Sequence, residues 1–448
     1  MAQGKLGDPQ AGARIVVTGG LGFVGSNLVS QLLRPHRFAP RTRRRGNLRG
    51  ENGGAEFWRP DRAQILIVDR ESLGADPANV AHLAPEASEG RLKRLKLDAR
   101  DAAALADALL EFDPDCVFHL AAESHVDRSL ADPAGFVDNN VMGTLGVLEA
   151  CRRLQGRKTA QGAPFALISV STDEVYGDNR PVFAGRGAAP AGGSAEARLF
   201  DERCPLLPSN PYAASKAAQD CLALSYARSF GLPVLVSRAS NTYGRGQWPE
   251  KFLPKLIAAA LTGLRFPLYG GGRAKRRWLH AADHARALIA LWEKGRPGEI
   301  YNIAGGEPIA NVEFARQALG KLALCLKMGA GGSGAPGGCE SRRAQDGERE
   351  RILSRIRSEA VLDPTAADRP GHDDDYAMSD DKIRLGACGE SEENGEPIWT
   401  PAVDFEAGLL DAVWAAANRL RPDLIPPAPT HPVLSSAACA RSAPTTRI

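Results

Sequence analysis

A short apolar strand that runs directly into three glycines constrains the fold of this chain most strongly. Residues 14–17 are Arg-Ile-Val-Val, a β-branched run typical of a buried strand. Gly19, Gly22 and Gly25 follow at three-residue spacing, and residues 27–33 continue as an amphipathic helix. Glycines at this spacing allow a tight turn, a close approach of backbone N–H groups to a pyrophosphate and close packing of the helix. The order of strand, glycines and helix therefore predicts a dinucleotide-binding site.

Strand and helix patterns alternate along the following residues. Further apolar runs predict strands at residues 65–69, 92–97, 116–120, 166–170 and 233–238. Helical segments lie between them, and the segment at residues 137–153 is a long one. This alternation is typical of an α/β protein and predicts a Rossmann-type doubly wound parallel sheet.

The second predicted strand ends in an acidic residue, Asp69. A carboxylate at this point binds ribose hydroxyls and repels a 2′-phosphate, so Asp69 favours NAD over NADP as the cofactor. Arg70 follows directly and weakens that preference, because a guanidinium accommodates a 2′-phosphate.

The strand predicted at residues 166–170 leads into Thr172, Asp173 and Glu174. Ligands of open α/β sheets bind at the carboxyl ends of the strands, where these three side chains are expected to emerge. Two adjacent carboxylates beside a hydroxyl supply an acid and a base when their environments push their pKa values apart. The alternative interpretation is that Asp173 and Glu174 are ordinary loop carboxylates.

A second candidate pair lies on the helix predicted to begin at Tyr212. Tyr212 and Lys216 are four residues apart and therefore share one face of that helix. An ammonium near a phenol favours the phenolate, which makes Tyr212 a candidate base at neutral pH. The alternative is that both residues belong to a solvated helix turn.

Charge and cysteine content argue against several classes of protein. The formal net charge is +3 over 448 residues, which favours neither a nucleic-acid partner nor a membrane partner. The eight cysteines show no C-x-x-C pair and no metal-ligand spacing, so we expect no metal site. No apolar run is long enough to cross a bilayer. We therefore expect a cytoplasmic protein.

The chain divides into two predicted domains with insertions. We assign residues 14–244 to an NAD-binding domain and residues 245–420 mostly to a smaller C-terminal substrate-binding domain, some segments of which return to the first domain. Disorder is predicted at both ends, at residues 1–13 and 421–448. Within the domains we interpret three segments as insertions: a basic one at 34–62, a loop at 178–199 and a low-complexity one, partly helical at best, at 327–360. Three cations in the second domain are candidates to clamp an anion or are simply solvated: Arg273, Lys275 and Arg277.

Seven motifs together resemble one enzyme family. They lie at residues 18–26, 119–129, 171–177, 212–216, 249–251, 278–288 and 368–373. The sequence resembles the extended short-chain dehydrogenase/reductase superfamily, and within it the dTDP-glucose 4,6-dehydratases. The Thr-Asp-Glu trio is the most discriminating motif, because related epimerases and decarboxylases carry other residues there.

This resemblance implies a dehydration driven by a transient oxidation. Tyr212, held as phenolate by Lys216 and assisted by Thr172, would take the proton of the sugar 4-hydroxyl as hydride leaves C4 for NAD. Glu174 would then remove the C5 proton while Asp173 protonates the departing 6-hydroxyl. NAD would be regenerated in each turnover and would stay tightly bound.

The motifs and the resemblance also imply two sets of binding residues. The NAD set is Gly19, Gly22, Phe23, Val24, Gly25, Asp69, Asp98, Ala99, Leu120, Ala121, Ala122, Ser124, Asn139, Tyr212, Lys216 and Thr242. The set for the nucleoside-diphosphate sugar is Ser124, Thr172, Asn241, Lys251, Phe252, Pro267, Tyr269, Arg276, Asn302, Arg369 and His372.

Departures from the family pattern leave the substrate open. They occur mostly in the substrate half, at Asn139, Thr242, residues 245–247, Arg277, Asp374 and Asp375. The rivals are therefore a UDP-glucose 4,6-dehydratase, another sugar-nucleotide epimerase or dehydratase, and a catalytically silent NAD-binding scaffold. The resemblance also suggests a homodimer through helices of the nucleotide domain.

Overall fold

The structure is a computed structural model that describes residues 12–35, 59–178, 199–330, 339–367, 377–385 and 397–425. Most of the insertions predicted at 34–62 and 178–199 lies outside the described residues. Two predicted substrate ligands, Arg369 and His372, also lie outside them.

Strands and helices alternate as the sequence predicts. The strands are β1 (Arg14–Thr18), β2 (Gln64–Asp69), β3 (Leu92–Lys96), β4 (Cys116–His119), β5 (Ala166–Thr172), β6 (Val234–Ala239), β7 (Thr242–Tyr243), β8 (Phe266–Pro267), β9 (Lys275–Arg276), β10 (Leu279–His280), β11 (Ile300–Ile303), β12 (Ile309–Ala310) and β13 (Leu362–Asp363). The helices are α1 (Phe23–Leu33), α2 (Ala84–Ser88), α3 (Ala102–Phe112), α4 (Val126–Ala131), α5 (Pro133–Val137), α6 (Gly143–Gln161), α7 (Pro211–Phe230), α8 (Phe252–Thr262), α9 (Ala281–Lys294), α10 (Asn311–Ala330), α11 (Cys339–Arg357), α12 (Asp381–Leu385) and α13 (Phe405–Leu420).

A seven-stranded parallel sheet organises the molecule. Its strand order is β11-β6-β5-β4-β1-β2-β3, and every neighbouring pair is parallel. The chain proceeds outward from β1 to β3 and then crosses to β4 on the other side of β1. This reversal creates a crevice at the carboxyl ends of β1 and β4, the usual ligand position in such sheets. The predicted Rossmann-type α/β fold is confirmed.

Helices cover both faces of the sheet, which explains why its strands read as continuous apolar runs. On one face, Ile15 and Val17 of β1 share a buried cluster with Leu28 of α1 and Leu288 of α9. On the other face, Val16 packs in a cluster with residues of α3, α6 and α7. Alternate residues of one strand therefore enter two different cores.

The chain divides into two compact units, each assembled from three segments. The first is Met1–Trp248, Gly272–Asn311 and Ala367–Val403, and the second is Pro249–Gly271, Val312–Ala366 and Asp404–Ile448. The predicted block 245–420 is thus split. Residues 272–311 join the first unit because β11 pairs with β6 and the apolar face of α9 packs on the sheet.

Two predicted segments are more ordered than the sequence indicated. Within 327–360, α11 forms a regular helix, and its Ile352 and Leu353 are buried. Arg355 donates hydrogen bonds to the carbonyls of Ala260 and Leu264 at the end of α8. In the predicted tail 421–448, residues 421–425 are described and Leu424 and Ile425 are fully buried, so disorder was the wrong prediction for them.

Three further boundaries differ from the predictions. Helix α1 begins at Phe23 rather than Asn27. The helix predicted at 137–153 is α6 preceded by a π-helical turn, Asp138–Met142. At the start of the chain, Ala13 already accepts a hydrogen bond from Gln64 and so lies within the fold instead of the predicted disordered terminus. Across the described ranges, every helix is too short or too polar to cross a membrane.

Candidate active site

The glycine loop between β1 and α1 has the geometry of an anion-binding turn. Gly19 has a φ of +71°, and a Cβ on it would lie 2.8 Å from the backbone of Ala121. A Cβ on Gly25 would lie 2.2 Å from the carbonyl oxygen of Gly19, so only glycine lets α1 pack against the loop. Phe23 and Val24 are the first residues of α1, and their N–H groups precede the intrahelical hydrogen bonds. These groups therefore fit the pyrophosphate of a dinucleotide.

Asp69 closes the loop from the end of β2. Its carboxylate accepts hydrogen bonds from the N–H groups of Leu21 (3.1 Å) and Glu71 (2.8 Å). Burial raises the pKa of Asp69, while these two backbone donors oppose the rise. The carboxylate is thus fixed at the tip of β2, where the ribose of a dinucleotide is expected.

Arg70 is held by carboxylates. Its guanidinium donates to Glu123 at 2.9 Å and lies 3.7 Å from Asp98. Its Nε donates to the hydroxyl of Ser72. Glu123 also pairs with Arg128 at 3.1 Å. These contacts occupy Arg70, which the sequence left as a possible partner of a 2′-phosphate.

The other predicted cofactor residues follow strands of the same sheet. Asp98 follows β3, and its hydrogen bond to Arg100 lowers its pKa. The N–H groups of Leu120 and Ala121, just beyond β4, donate to the carbonyl and hydroxyl of Thr18. The remaining members occupy nearby loops and turns: Ala99 against Gly146, Ala122 after β4, exposed Ser124, Asn139 in the π-helical turn and Thr242 in β7.

His119 is a buried residue beside the glycine loop to which the sequence analysis gave no role. Thr144 donates its hydroxyl hydrogen to the carbonyl of Asn140 at 2.6 Å, so at 3.0 Å it accepts from Nε2–H of His119. Nδ1 of His119 then accepts from the hydroxyl of Thr18 at 2.8 Å. Burial and the charge of Lys216 lower the pKa of His119 to about 3. A polar residue ending an apolar strand was the available signal.

The Thr-Asp-Glu trio forms the end of β5 and the start of a 3-10 turn, Asp173–Tyr176. The hydroxyl of Thr172 caps this turn by accepting from the N–H of Glu174 at 3.3 Å, and it donates to Asp173 at 3.2 Å. Asp173 is 4% exposed, whereas Glu174 is only partly buried. The two carboxylates therefore lie in different environments.

Burial and the charge of Glu174 raise the pKa of Asp173 well above its ordinary value. Arg276 opposes this rise through its positive charge, as does the hydrogen bond from Thr172. A buried Asp173 with a raised pKa beside a partly exposed Glu174 is an arrangement that suits one carboxyl to donate a proton and the other to accept one.

Helix α7 carries Tyr212 and Lys216, and both side chains are buried rather than solvated. The ring of Tyr212 packs edge-on against Phe136 at 6.4 Å between ring centroids. The ammonium of Lys216 donates to the carbonyl of Val170 and to Oε1 of Gln219, each at 2.6 Å. Burial lowers the pKa of Lys216 to about 8.

Asn210 connects the two catalytic candidates, and the sequence analysis did not identify it. Its Oδ1 accepts from the N–H of Ala213 at 2.9 Å and so caps α7. Its Nδ2 lies 3.4 Å from Oε2 of Glu174. An asparagine immediately before a proline at a helix start is the sequence signal of such a cap.

The predicted substrate residues are divided between the two units. In the first unit, Arg276 and Asn302 are buried and Asn241 is partly buried. The side chain of Asn302 accepts a hydrogen bond from the hydroxyl of Tyr176 and donates hydrogen bonds to the carbonyls of Phe200 and Ser379. These hydrogen bonds stabilise the protein core. The second unit holds Lys251, Phe252, Pro267 and Tyr269.

The structure bears on the roles predicted for two other residues, Phe252 as a substrate ligand and Arg277 as an anion clamp or a solvated cation. Phe252 packs with Phe266 and Phe314 in an aromatic cluster of the second unit. Arg277 is neither solvated nor available to a ligand: it donates to the carbonyls of residues 305, 306 and 378 and pairs with Asp380 at 3.1 Å. It therefore ties the segment at 377–385 to the loop after β11.

Comparison with known proteins places the chain in a family. Residues 15–304 match the model of the NAD dependent epimerase/dehydratase family. The chain is 33% identical over 408 residues to the dTDP-glucose 4,6-dehydratase of Shigella flexneri. The aligned residues cover 90% of this chain and 93% of that protein. It is 34% identical over 410 residues to the enzyme of the same name from Neisseria meningitidis serogroup B, covering 91% and 94%.

A solved structure agrees with this assignment. The dTDP-glucose 4,6-dehydratase DesIV of Streptomyces venezuelae, crystallised with NAD bound, matches with a TM-score of 0.65 and 30% identity over 92% of this chain and 99% of that one. The glycine loop, with its free helix N-terminus and the fixed Asp69, fits the same cofactor. The chain therefore belongs to the NAD-dependent epimerase/dehydratase family, and its cofactor is NAD.

Proposed function

We propose that this protein dehydrates a nucleoside-diphosphate glucose to its 4-keto-6-deoxy sugar, and that dTDP-glucose is its preferred substrate. The observation that carries the proposal is the pair of unlike carboxyls at the tip of β5. Asp173 is buried with a raised pKa, and Glu174 is partly exposed and held by Asn210. Elimination of water needs one acid and one base on the same sugar, and this pair supplies them.

Tyr212 and Lys216 would begin the reaction. The phenolate of Tyr212 takes the proton of the sugar 4-hydroxyl, and the hydroxyl of Thr172 assists. The pKa of Lys216, about 8, lies above neutral pH, so most Lys216 side chains are charged at pH 7. This positive charge favours the phenolate of Tyr212. The chemistry that bound NAD would supply is the temporary storage of a hydride, taken from C4 of the sugar and delivered to C6.

Asp173 and Glu174 would carry out the elimination. The 4-ketone acidifies the proton on C5, and Glu174 removes it. Asp173 protonates the 6-hydroxyl, which leaves as water and gives a C5–C6 double bond. Glu174 would return its proton to C5, and the proton taken up by Tyr212 would replace the one that Asp173 gave up. With the hydride from C4 delivered to C6, the product would differ from the substrate by one water. Burial raises the pKa of Asp173 and so favours its protonated form, which is the form that donates to the 6-hydroxyl.

The names of the relatives support dTDP-glucose as the substrate, but identities of 33–34% leave UDP-glucose as a rival. Both substrates would undergo the same chemistry. We also propose that the protein acts in the cytoplasm as a homodimer, as the family resemblance implies.

Mass spectrometry of sugar nucleotides tests the proposal. The purified protein is incubated separately with dTDP-glucose and UDP-glucose, with and without added NAD. We expect one sugar nucleotide to lose one water, and the faster substrate identifies the base. Asp107→Asn, on the exposed face of α3, is a control that should keep full activity. If neither substrate loses water while the protein binds NAD, the dehydratase proposal is wrong.

A further inference from the structure

The side chain of Gln219 makes a closed set of hydrogen bonds around Lys216. Gln219 is fully buried on α7, one turn after Lys216. Its Oε1 accepts from the ammonium at 2.6 Å. Its Nε2 donates to the hydroxyl of Ser169 at 2.9 Å and to the carbonyl of Val170 at 3.1 Å. The same carbonyl of Val170 accepts from Lys216 at 2.6 Å.

These contacts fix which way the amide of Gln219 points. If the amide were turned over, its NH₂ group would face the ammonium, which has only donors, and its oxygen would face the carbonyl of Val170, which has only an acceptor. The observed orientation satisfies every group. Oε1 of Gln219 is therefore held against Lys216 by β5, the strand that ends in Thr172.

We propose that Gln219 is a positioning residue that directs the ammonium of Lys216 and, through it, sets the ionisation of Tyr212. Two of the three N–H groups of Lys216 are used by Val170 and Gln219. The third is thereby given a defined direction. Because an amide is neutral, it anchors the ammonium without cancelling the positive charge that favours the phenolate of Tyr212. This inference rests on the proposed function, which makes Tyr212 the base.

The other charged and titratable groups around Lys216 do not replace Gln219. Asp220, the next residue of α7, raises the pKa of Lys216, but it is paired with Arg238 of β6 at 2.9 Å. Burial and the positive charge of Lys216 lower the pKa of His119 in β4 to about 3, so His119 is neutral at pH 7. Gln219 is the described side chain whose acceptor contacts the ammonium directly.

The test measures the phenolate of Tyr212 directly. Ultraviolet absorbance is recorded during a pH titration, and the signal of Tyr212 is obtained by subtracting the titration of Tyr212→Phe. Tyr226 does not interfere at neutral pH, since burial raises its pKa to about 12. Burial also raises the pKa of Tyr176.

Two variants of Gln219 probe the proposal in different ways. Gln219→Glu keeps the shape but places a carboxylate on the ammonium, which neutralises its field, so the phenolate signal should move to higher pH by about one unit. Gln219→Met removes the acceptor without adding charge. Lys216 then loses its proton at lower pH, and the phenolate should again appear at higher pH than in the unmodified protein. The control is Gln161→Glu, the same change on an exposed residue at the end of α6, which should leave the titration unchanged.

A folded Gln219→Glu or Gln219→Met protein whose Tyr212 signal coincides with that of the unmodified protein would overturn the proposal, even if thermal stability falls. Cooperative unfolding and NAD binding establish that each variant is folded. The titration needs no sugar substrate. Failure of the unmodified protein to dehydrate either sugar nucleotide would therefore contradict the proposed function without deciding the role of Gln219.

Discussion

Asp173, the proposed acid, carries a cost to the stability of the folded protein. Its carboxyl is buried at the tip of β5, and burial together with the charge of Glu174 raises its pKa well above the ordinary value. A buried carboxyl that must stay near another carboxylate is unfavourable for the folded state whenever it ionises. In the proposed reaction, the protonated form of Asp173 is the acid.

Replacing Asp173 by Asn should raise stability and lower activity. In the folded state the carboxyl holds its proton to higher pH than in the unfolded chain, so its contribution to stability is full below the unfolded pKa of 3.8 and is lost as pH rises. Asn removes this loss, so the gain in melting temperature should increase with pH. Loss of the acid should slow dehydration by about 10²- to 10⁴-fold.

Calorimetry at pH 5 and pH 8, with dehydration assayed in parallel, measures both effects of Asp173→Asn. Asp107→Asn removes a charge from an exposed residue of α3 and changes no buried site. It should alter neither the melting temperature nor the rate of dehydration. A melting temperature for Asp173→Asn that is lower than that of the unmodified protein at both pH values would contradict the assigned environment.

Glu123 should control the choice between NAD and NADP. It holds Arg70 at 2.9 Å, and Gln in its place would weaken that pairing and release the guanidinium. We expect Glu123→Gln to improve the affinity for NADP relative to NAD by a few-fold, since a single partly exposed ion pair contributes less than about 1 kcal/mol. Titration of both cofactors by calorimetry measures the ratio.

A double-mutant cycle identifies the origin of this change. In the Arg70→Ala background, Glu123→Gln should leave the ratio of NAD to NADP affinity unchanged, because the released guanidinium is absent. An equal gain for NADP in both backgrounds would show that Arg70 is not the residue that Glu123 restrains.

At the scale of elements, the loops at the carboxyl ends of the strands depend on close packing. Helix α1 approaches the glycine loop so closely that Gly25 has no room for a side chain. Asn210 caps α7 and contacts Glu174, so the position of the helix that bears Tyr212 is linked to the turn that bears the acids. The catalytic candidates are thus placed by packing and capping.

Gly25→Ala should abolish NAD binding. Its Cβ would lie 2.2 Å from the carbonyl oxygen of Gly19, so the loop or α1 must move and the backbone donors would lose their arrangement. Gly156→Ala is the matched control, because Gly156 also lies inside a helix but has nothing within 4 Å of an added Cβ. The control should bind NAD normally and gain about 0.5–1 kcal/mol of stability.

Fluorescence titration with NAD compares the two alanine variants. Normal NAD affinity in Gly25→Ala would show that the close approach of α1 to the loop is not needed for the cofactor.

Periodicity in the sequence identified six strands of the main sheet but not the seventh. β11 is only four residues long, and it carries Asn302, whose polarity hides a fully buried position. The π-helical turn at Asp138–Met142 was also missed. It depends on Asn140, which accepts from Glu123 and donates to Ser215, and contacts between distant residues leave no local pattern.

The regular helix α11 was not predicted, for a different reason. Its segment is dense in Arg and Glu and resembles a solvated insertion, and only a few apolar residues such as Ile352 and Leu353 mark a packed face. Arg349 and Arg355 bind carbonyl groups of residues far away in the sequence. Charged side chains that serve as caps for other segments cannot be distinguished from solvated ones by composition.

At the scale of the whole molecule, the Rossmann-type fold and the cofactor could be predicted because strand, glycines and helix are contiguous in the sequence. The division into two units could not, since each is assembled from three separate segments. The proposed catalytic residues were readable because they lie at one strand end and one helix start. Their supporting residues, Asn210 and Gln219, became evident only from hydrogen bonds across elements.

The most direct test of the account is the mass of the product formed in deuterium oxide during a short incubation with the preferred sugar nucleotide. If Glu174 is the base, the proton that it takes from C5 should exchange with solvent before C5 is protonated again, because the Glu174 side chain is partly exposed. The product is expected to have lost one water and gained one deuterium at C5, and Glu174→Gln is expected to form no such product. Loss of water without deuterium at C5, or unchanged turnover in Glu174→Gln, would contradict the role of Glu174 as the base.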